Sequence, residues 1–246
     1  MQIIPVLDLM KGQVVRAVRG RRSDYQPIVS GLCAGSDPVT VARALVDYVR
    51  AVTLYVADLD ALTGGAVQVA VIRDLLAALP RVRLWLDAGF ADAAAFGRLR
   101  AELGAGLDDA SGESAARVRS ARVAPVFASE ALASAEAART SLADKAGAIL
   151  SLDRRGGELM DPAGCWADES LWPERVIVMT LDRVGSFDGP DLATLRDCAR
   201  RAPRAMLIGA GGIRDEADLR LAEQAGAAAW LTASALHDRR LAPRAD

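Results

Sequence analysis

The chain has 246 residues, of which 52% are hydrophobic and 25% charged, and its formal net charge is −2. That is enough apolar material for a large core, and the charge balance gives no electrostatic case for nucleic acid or an anionic membrane surface. No apolar run approaches the length of a membrane span, and the N-terminus lacks a basic start followed by a signal-type apolar stretch, so a cytoplasmic protein is expected.

Short apolar runs alternate with longer segments of helical period along the whole chain. The first run is Ile3–Leu9, followed by a helical stretch at Val39–Arg50. Then come a run at Thr53–Asp58, a helical stretch at Val67–Leu79 and a third run at Arg83–Asp87. Gly104–Ser120 is long, polar and rich in Gly and Ser, and reads as an insertion or flexible loop before the fourth run, Val123–Phe127. Further runs follow at Ala148–Leu152, Val176–Thr180, Ala205–Gly209 and Ala228–Thr232, with helical stretches at Leu192–Arg201 and Glu216–Ala225. The runs are almost continuously apolar and rich in Val, Ile and Leu, as in parallel strands covered on both faces. Eight strand–helix units predict a closed α/β barrel, a (β/α)8 or TIM barrel, occupying residues 1–246 as one domain; six would have left an open doubly wound sheet as the rival. The halves echo each other. Ala88-Gly89-Phe90-Ala91-Asp92 parallels Ala210-Gly211-Gly212-Ile213-Arg214-Asp215, and Ala128-Ser129-Glu130-Ala131-Leu132 parallels Ala233-Ser234-Ala235-Leu236, which suggests a half-barrel internal repeat.

Most strands end in a carboxylate: Asp8, Asp58 with Asp60, Asp87, Asp153 and, after strand six, Asp182. In such barrels the C-terminal strand ends form the active-site floor. Each Asp could equally cap the following helix or tighten a loop. Several converging on one mouth must be offset by ligand, metal or protonation. Asp8 and Asp153 are the best acid–base pair, lying on opposite sides of the mouth. After strand seven, Gly209-Ala210-Gly211-Gly212 lets backbone N–H groups approach an anion, and Ala233-Ser234 after strand eight could complete a phosphate cradle; the alternative is a tight turn. Arg16, Arg19, Arg21 and Arg22 form either a solvated loop or a phosphate-facing flap. His237 reads as a surface residue in a polar tail, and Trp85, Trp166, Trp172 and Trp230 as core or loop anchors. Cys33, Cys165 and Cys198 are too widely spaced for a disulfide framework or a zinc site, and are expected to be buried or incidental thiols.

Ile4-Pro5-Val6-Leu7-Asp8-Leu9 with Lys11-Gly12-Gln13-Val14-Val15-Arg16 resembles the opening of the phosphoribosylformimino-aminoimidazole-carboxamide ribotide isomerases of histidine biosynthesis and their sister cyclase subunits. The likeness continues through Val56-Ala57-Asp58-Leu59-Asp60, Leu150–Gly157, Val178-Met179-Thr180 and Gly209–Arg214, so it spans essentially the whole chain. It leans to the isomerase branch, because the cyclase branch would carry a Cys near the first Asp and a Lys on strand one, where Leu9 and Met10 stand. The resemblance implies an Amadori aldose–ketose rearrangement with Asp8 and Asp153 as acid and base, assisted by Thr180. It implies no metal or organic cofactor and a phosphorylated small-molecule substrate, for which the strand ends and loops offer Arg16, Asp58, Asp87, Asp182, Gly211, Gly212, Ala233 and Ser234 as binding residues. A monomer or small homo-oligomer is expected.

The family pattern is broken in three places. Its Gly-Gly-Gly-Ile-Arg after strand three is Asp87-Ala88-Gly89-Phe90-Ala91 here, which sets a carboxylate where a second phosphate would bind. Its Gly-Thr after strand four is Ala128-Ser129, and its Asp-Gly after strand six is Val184-Gly185. A diverged member follows, taking one phosphate and something cationic or neutral, such as an amine, against Asp87. The Leu-Asp-Ala-Gly-Phe stretch resembles isomerase-like paralogues of tetrahydromethanopterin-linked one-carbon metabolism, the alternative to a histidine-pathway substrate. A catalytically silent binding or assembly barrel is the third reading, opposed by the retention of both Asp8 and Asp153.

Overall fold

The structure is a computed structural model that describes residues 1–104 and 122–244. Apart from Gly104, the expected Gly104–Ser120 insertion lies outside the described residues. Eight parallel strands follow one another around a barrel: β1 (Gln2–Met10), β2 (Thr53–Asp58), β3 (Arg83–Asp87), β4 (Val123–Ala128), β5 (Ile149–Arg155), β6 (Arg175–Thr180), β7 (Met206–Ala210) and β8 (Ala229–Thr232). The ring closes where Gln2–Pro5 of β1 aligns with Ala229–Thr232 of β8. Each expected strand is present, with its ends within a few residues of the sequence reading.

The outer layer holds helices α1 (Pro38–Val49), α2 (Val69–Ala78), α3 (Ala93–Gly104), α4 (Ala135–Ser141), α5 (Leu192–Arg201) and α6 (Glu216–Gln224). α1 shows why these segments are helical. Asp37 accepts the Thr40 N–H at 2.8 Å, Pro38 fits the first turn, and Val41, Ala42, Leu45, Val46 and Val49 bury one face. Each fully buried Leu or Val contributes roughly 1.5–3 kcal/mol.

Successive strand residues point to opposite faces, which fixes the site. Ile4, Tyr55, Trp85, Val126, Ile149, Ile177, Ile208 and Leu231 fill the inside of the barrel. The alternate set, including Leu7, Leu54, Leu84, Leu150, Val176 and Leu207, packs outward against the helices. Asp8, Asp87 and Asp153 share the inward parity of Ile4, Trp85 and Ile149 on their own strands. Asp58 and Thr180 are one residue out of step with Tyr55 and Ile177.

The pleat also sets the register of the internal repeat. Asp87 corresponds to Ala210, one residue from the pairing expected from sequence. In that register Gly89 (φ 65°) matches Gly212 (φ 83°), and Asp92 and Asp215 each cap the helix that follows. After β4 and β8, Leu132 and Leu236 are both completely buried.

β1 turns sharply at Lys11 and Gly12, both at positive φ as a two-residue type I′ turn requires, into a short antiparallel strand at Gln13–Arg16. Asp60 accepts the Lys11 N–H at 2.9 Å and the Gln68 amide oxygen accepts that of Gly12 at 2.8 Å. His237 is not at the surface as expected; it is 2% exposed. The segment after β8 is no polar tail: it coils into a short helix, Ser234–His237, and tucks the ring under the preceding loop, Nδ1 lying 2.9 Å from Ser30 Oγ. The four tryptophans are buried, as are Cys165 and Cys198.

Candidate active site

The C-terminal ends of the strands open into a cavity of about 980 Å³, counting its open entrance. Inward parity brings Asp8, Asp87, Asp153 and Arg155 to its wall, and the loops add Arg22 and Glu130. Val6, Ala57, Met179 and Leu231 make an apolar lining beneath them.

The three aspartates sit in different surroundings. Asp8 is 9% exposed, and among the described residues its carboxyl takes part in no hydrogen bond; burial alone pushes its pKa up to about 7. Asp87 accepts the Tyr55 hydroxyl at 2.9 Å and the Gly89 N–H at 3.2 Å. Burial outweighs both bonds and lifts Asp87 to about 6, with the Glu130 charge adding to the rise and Arg22 opposing it. Asp153 accepts the Ser151 hydroxyl at 2.8 Å, while its own N–H donates to Ser129 Oγ at 2.9 Å. Burial, and then the charges of Glu130 and Asp87, hold the Asp153 carboxyl well above the usual range. The Tyr55 phenol is driven far up by burial and next by the Asp87 charge, so it remains a proton donor.

Two cations face these acids. Arg22 pairs with Glu130 at 3.3 Å. Arg155 stands at the rim against Gly20, where an added Cβ would lie 3.0 Å from its Nη2, and among the described residues it forms no ion pair. Of the expected basic run, Arg19 pairs with Asp188 at 2.8 Å and Arg21 with Asp24 at 3.6 Å, so Arg22 alone of the four lines the cavity.

On the other side of the mouth Gly211, Gly212, Ala233 and Ser234 all line the cavity. Gly212 is required by packing: a Cβ there would lie 2.2 Å from the Gly189 carbonyl oxygen. Thr232, 3% exposed, also lines this side, and its hydroxyl has no partner among the described residues.

Four expected site residues are used elsewhere. Asp58 points outward, accepting the N–H groups of Ala61 at 3.2 Å and Gln68 at 2.7 Å, and so caps the short helix Leu59–Leu62. Thr180, also outward, donates to Asp191 at 2.9 Å. Asp182 accepts the Gly156 N–H at 2.6 Å, tying the loops after β5 and β6 together. Arg16 pairs with Asp238 at 2.7 Å and reaches the Val29 carbonyl. Sequence reasoning missed Tyr55, Tyr25, Glu130 and Arg155. All four line the cavity; the two-residue steps from Tyr55 to Ala57 and from Asp153 to Arg155 could have revealed the first and last, while Tyr25 and Glu130 stand on loops.

A family model described as a histidine biosynthesis protein matches residues 2–242. An uncharacterized protein of Methanocaldococcus jannaschii is 36% identical over 75 residues, covering 30% of this chain and 33% of that one. The chain thus matches about a third of that curated relative's length. With the family match running over nearly all of a closed parallel barrel, the chain belongs to the histidine biosynthesis protein family.

Proposed function

We propose that this barrel is an isomerase-type enzyme that moves protons with Asp8 and Asp153 on a phosphorylated small molecule. The observation that carries the reading is that these two carboxyls face one cavity from β1 and β5 in unlike surroundings. Asp153, its carboxyl held well above the usual range by burial and then by the charges of Glu130 and Asp87, suits the role of acid. Asp8, at about 7, is divided between its two forms near neutrality and suits the role of base. In an Amadori rearrangement Asp153 would protonate the ring oxygen as the sugar opens to an iminium, and Asp8 would take the C2 proton to give an enaminol. The enaminol becomes the ketose as its O2 proton leaves and a proton returns to C1, so both carboxyls end as they began. The backbone of Gly211, Gly212 and Ala233 along the cavity, with the Ser234 hydroxyl, suits a single phosphate. Thr180 would act only indirectly, through Asp191.

A second reading changes the substrate and keeps the chemistry. Asp87, inward at the end of β3, favours a singly phosphorylated molecule, such as an intermediate of one-carbon cofactor synthesis, over the doubly phosphorylated histidine precursor. The test is turnover of the histidine-pathway aminoaldose by wild type, Asp8→Asn and Asp153→Asn. Turnover that disappears in both variants supports the family reaction with its own substrate. No turnover from folded wild type sinks that substrate and moves the assay to singly phosphorylated aminoaldoses. If the Asn variants stay active on whichever substrate turns over, the acid–base pair itself is wrong.

A further inference from the structure

Resting on the single-phosphate reading above, we propose that the wall at the ends of β3 and β4 is a cation subsite that takes a protonated amine on the substrate. The internal repeat supplies the argument. In the register set by the pleat, Asp87 stands where the other half has Ala210, and Glu130 where the other half has Ala235. All four line the same cavity. One end of the mouth is therefore built from small residues, and the equivalent end carries carboxylates.

The charges at the acidic end do not balance. Asp87 and Glu130, with Asp153 beside them, face Arg22, which is already paired with Glu130, while the other cation of the cavity, Arg155, stands at the rim against Gly20. Among the described residues no three such groups converge closely enough to hold a metal ion. Tyr55 gives its only proton to Asp87 and fixes that carboxylate against the cavity, with lone pairs left for a ligand. Independently, Asp8, 9% exposed and inward-facing on the same cavity, takes part in no hydrogen bond among the described residues. A donor on a molecule bound in the cavity would satisfy it. An ammonium group fits the acidic end because it is compact, carries three donors and cancels the excess charge. A second phosphate would meet the carboxylates directly. Neither Lys11 nor Lys145 lines the cavity, so the amine must come with the substrate.

The test uses the whole protein and calorimetric titration near neutral pH. The probes are ω-aminoalkyl phosphates of graded length, the alkyl phosphate of each length, and the matching alkylamine without phosphate. At the best length the amino member should bind about tenfold tighter than its alkyl partner, the weight of one partly buried ion pair of about 1.4 kcal/mol. That preference should vanish in Asp87→Asn and shrink in Tyr55→Phe, with alkyl phosphate binding unchanged or improved in both. Equal binding of the amino and alkyl phosphates overturns the subsite, as does a preference that survives Asp87→Asn. If no alkyl phosphate binds but the alkylamine binds in an Asp87-dependent way, the single-phosphate reading fails and the cation subsite stands. If neither amine-bearing probe binds, the subsite is wrong. Circular dichroism of each variant verifies that it is folded.

Discussion

Asp8→Asn should make the protein more stable while abolishing the proposed proton transfer. The Asp8 carboxyl is 9% exposed and takes part in no hydrogen bond among the described residues, and burial lifts its pKa from an ordinary 3.8 to about 7. A carboxyl that holds its proton more tightly folded than unfolded stabilises the fold fully below the unfolded value. That contribution is lost as the pH rises toward and through the folded value. For Asp8 the window runs from 3.8 to about 7. Above it the ionised side chain weakens the fold by about 4 kcal/mol, at about 1.4 kcal/mol for each tenfold change in proton affinity. An amide in the same place still lacks partners, so about half of that, roughly 2 kcal/mol, should be regained. In a chain of this size the melting temperature then rises by roughly 4–8 °C. Urea unfolding of wild type and variant across the pH range is the assay. The two stabilities should nearly coincide around pH 4, diverge up to about pH 7 and run parallel beyond it. A variant no more stable than wild type in mild alkali, or a difference that ignores pH, would refute the argument that burial strains Asp8.

The same carboxyl sets the expected rate profile: with Asp8 as base, kcat/KM on a turned-over substrate should climb as the pH rises through about 7. The climb should be missing from any residual activity of Asp8→Glu if Glu titrates elsewhere, and a flat wild-type profile would remove Asp8 from the base role. His237 works in the opposite sense, since burial lowers its pKa from 6.5 to about 4. Its stabilising contribution is present above 6.5 and is lost as the pH falls toward and through the folded value, by about 3 kcal/mol in all. Denaturation curves of His237→Gln should lack that acid-side loss. Gly212→Ala must put a Cβ 2.2 Å from the Gly189 oxygen at φ 83°, so it should destabilise by about 2 kcal/mol or more. A thermal melt matching wild type would show that the loop after β6 yields freely.

The sequence disclosed the strands because each is a short Val/Ile/Leu-rich run, and a strand buried on both faces must be one. It also disclosed Asp8, Asp87 and Asp153. Alternation within each run separates these from Asp58 and Thr180, since Ile4 and Asp8, or Tyr55 and Ala57, keep step with the inward set. Identity at the strand end could not make that distinction, because an Asp one residue later caps a helix instead of facing the cavity. Glu130 was illegible, and Arg22 could not be told apart from Arg19 and Arg21, for another reason: their positions depend on loop paths settled by packing between loops, as between Gly185 and the Ala17 carbonyl. His237 was misread because its burial depends on a partner, Ser30, far away in the chain.

The seam of the barrel has a consequence for synthesis. Gln2–Pro5 can find its final neighbour only after Ala229–Thr232 has been made, so during translation the first strand is supported on one side by β2 and bare on the other. A bare strand edge invites pairing with another chain. A nascent barrel of this kind depends on crowding partners staying away, or on a chaperone, for as long as the ribosome needs to reach its last strand. Truncations ending before Ala229 should accordingly be recovered as aggregates rather than as smaller barrels.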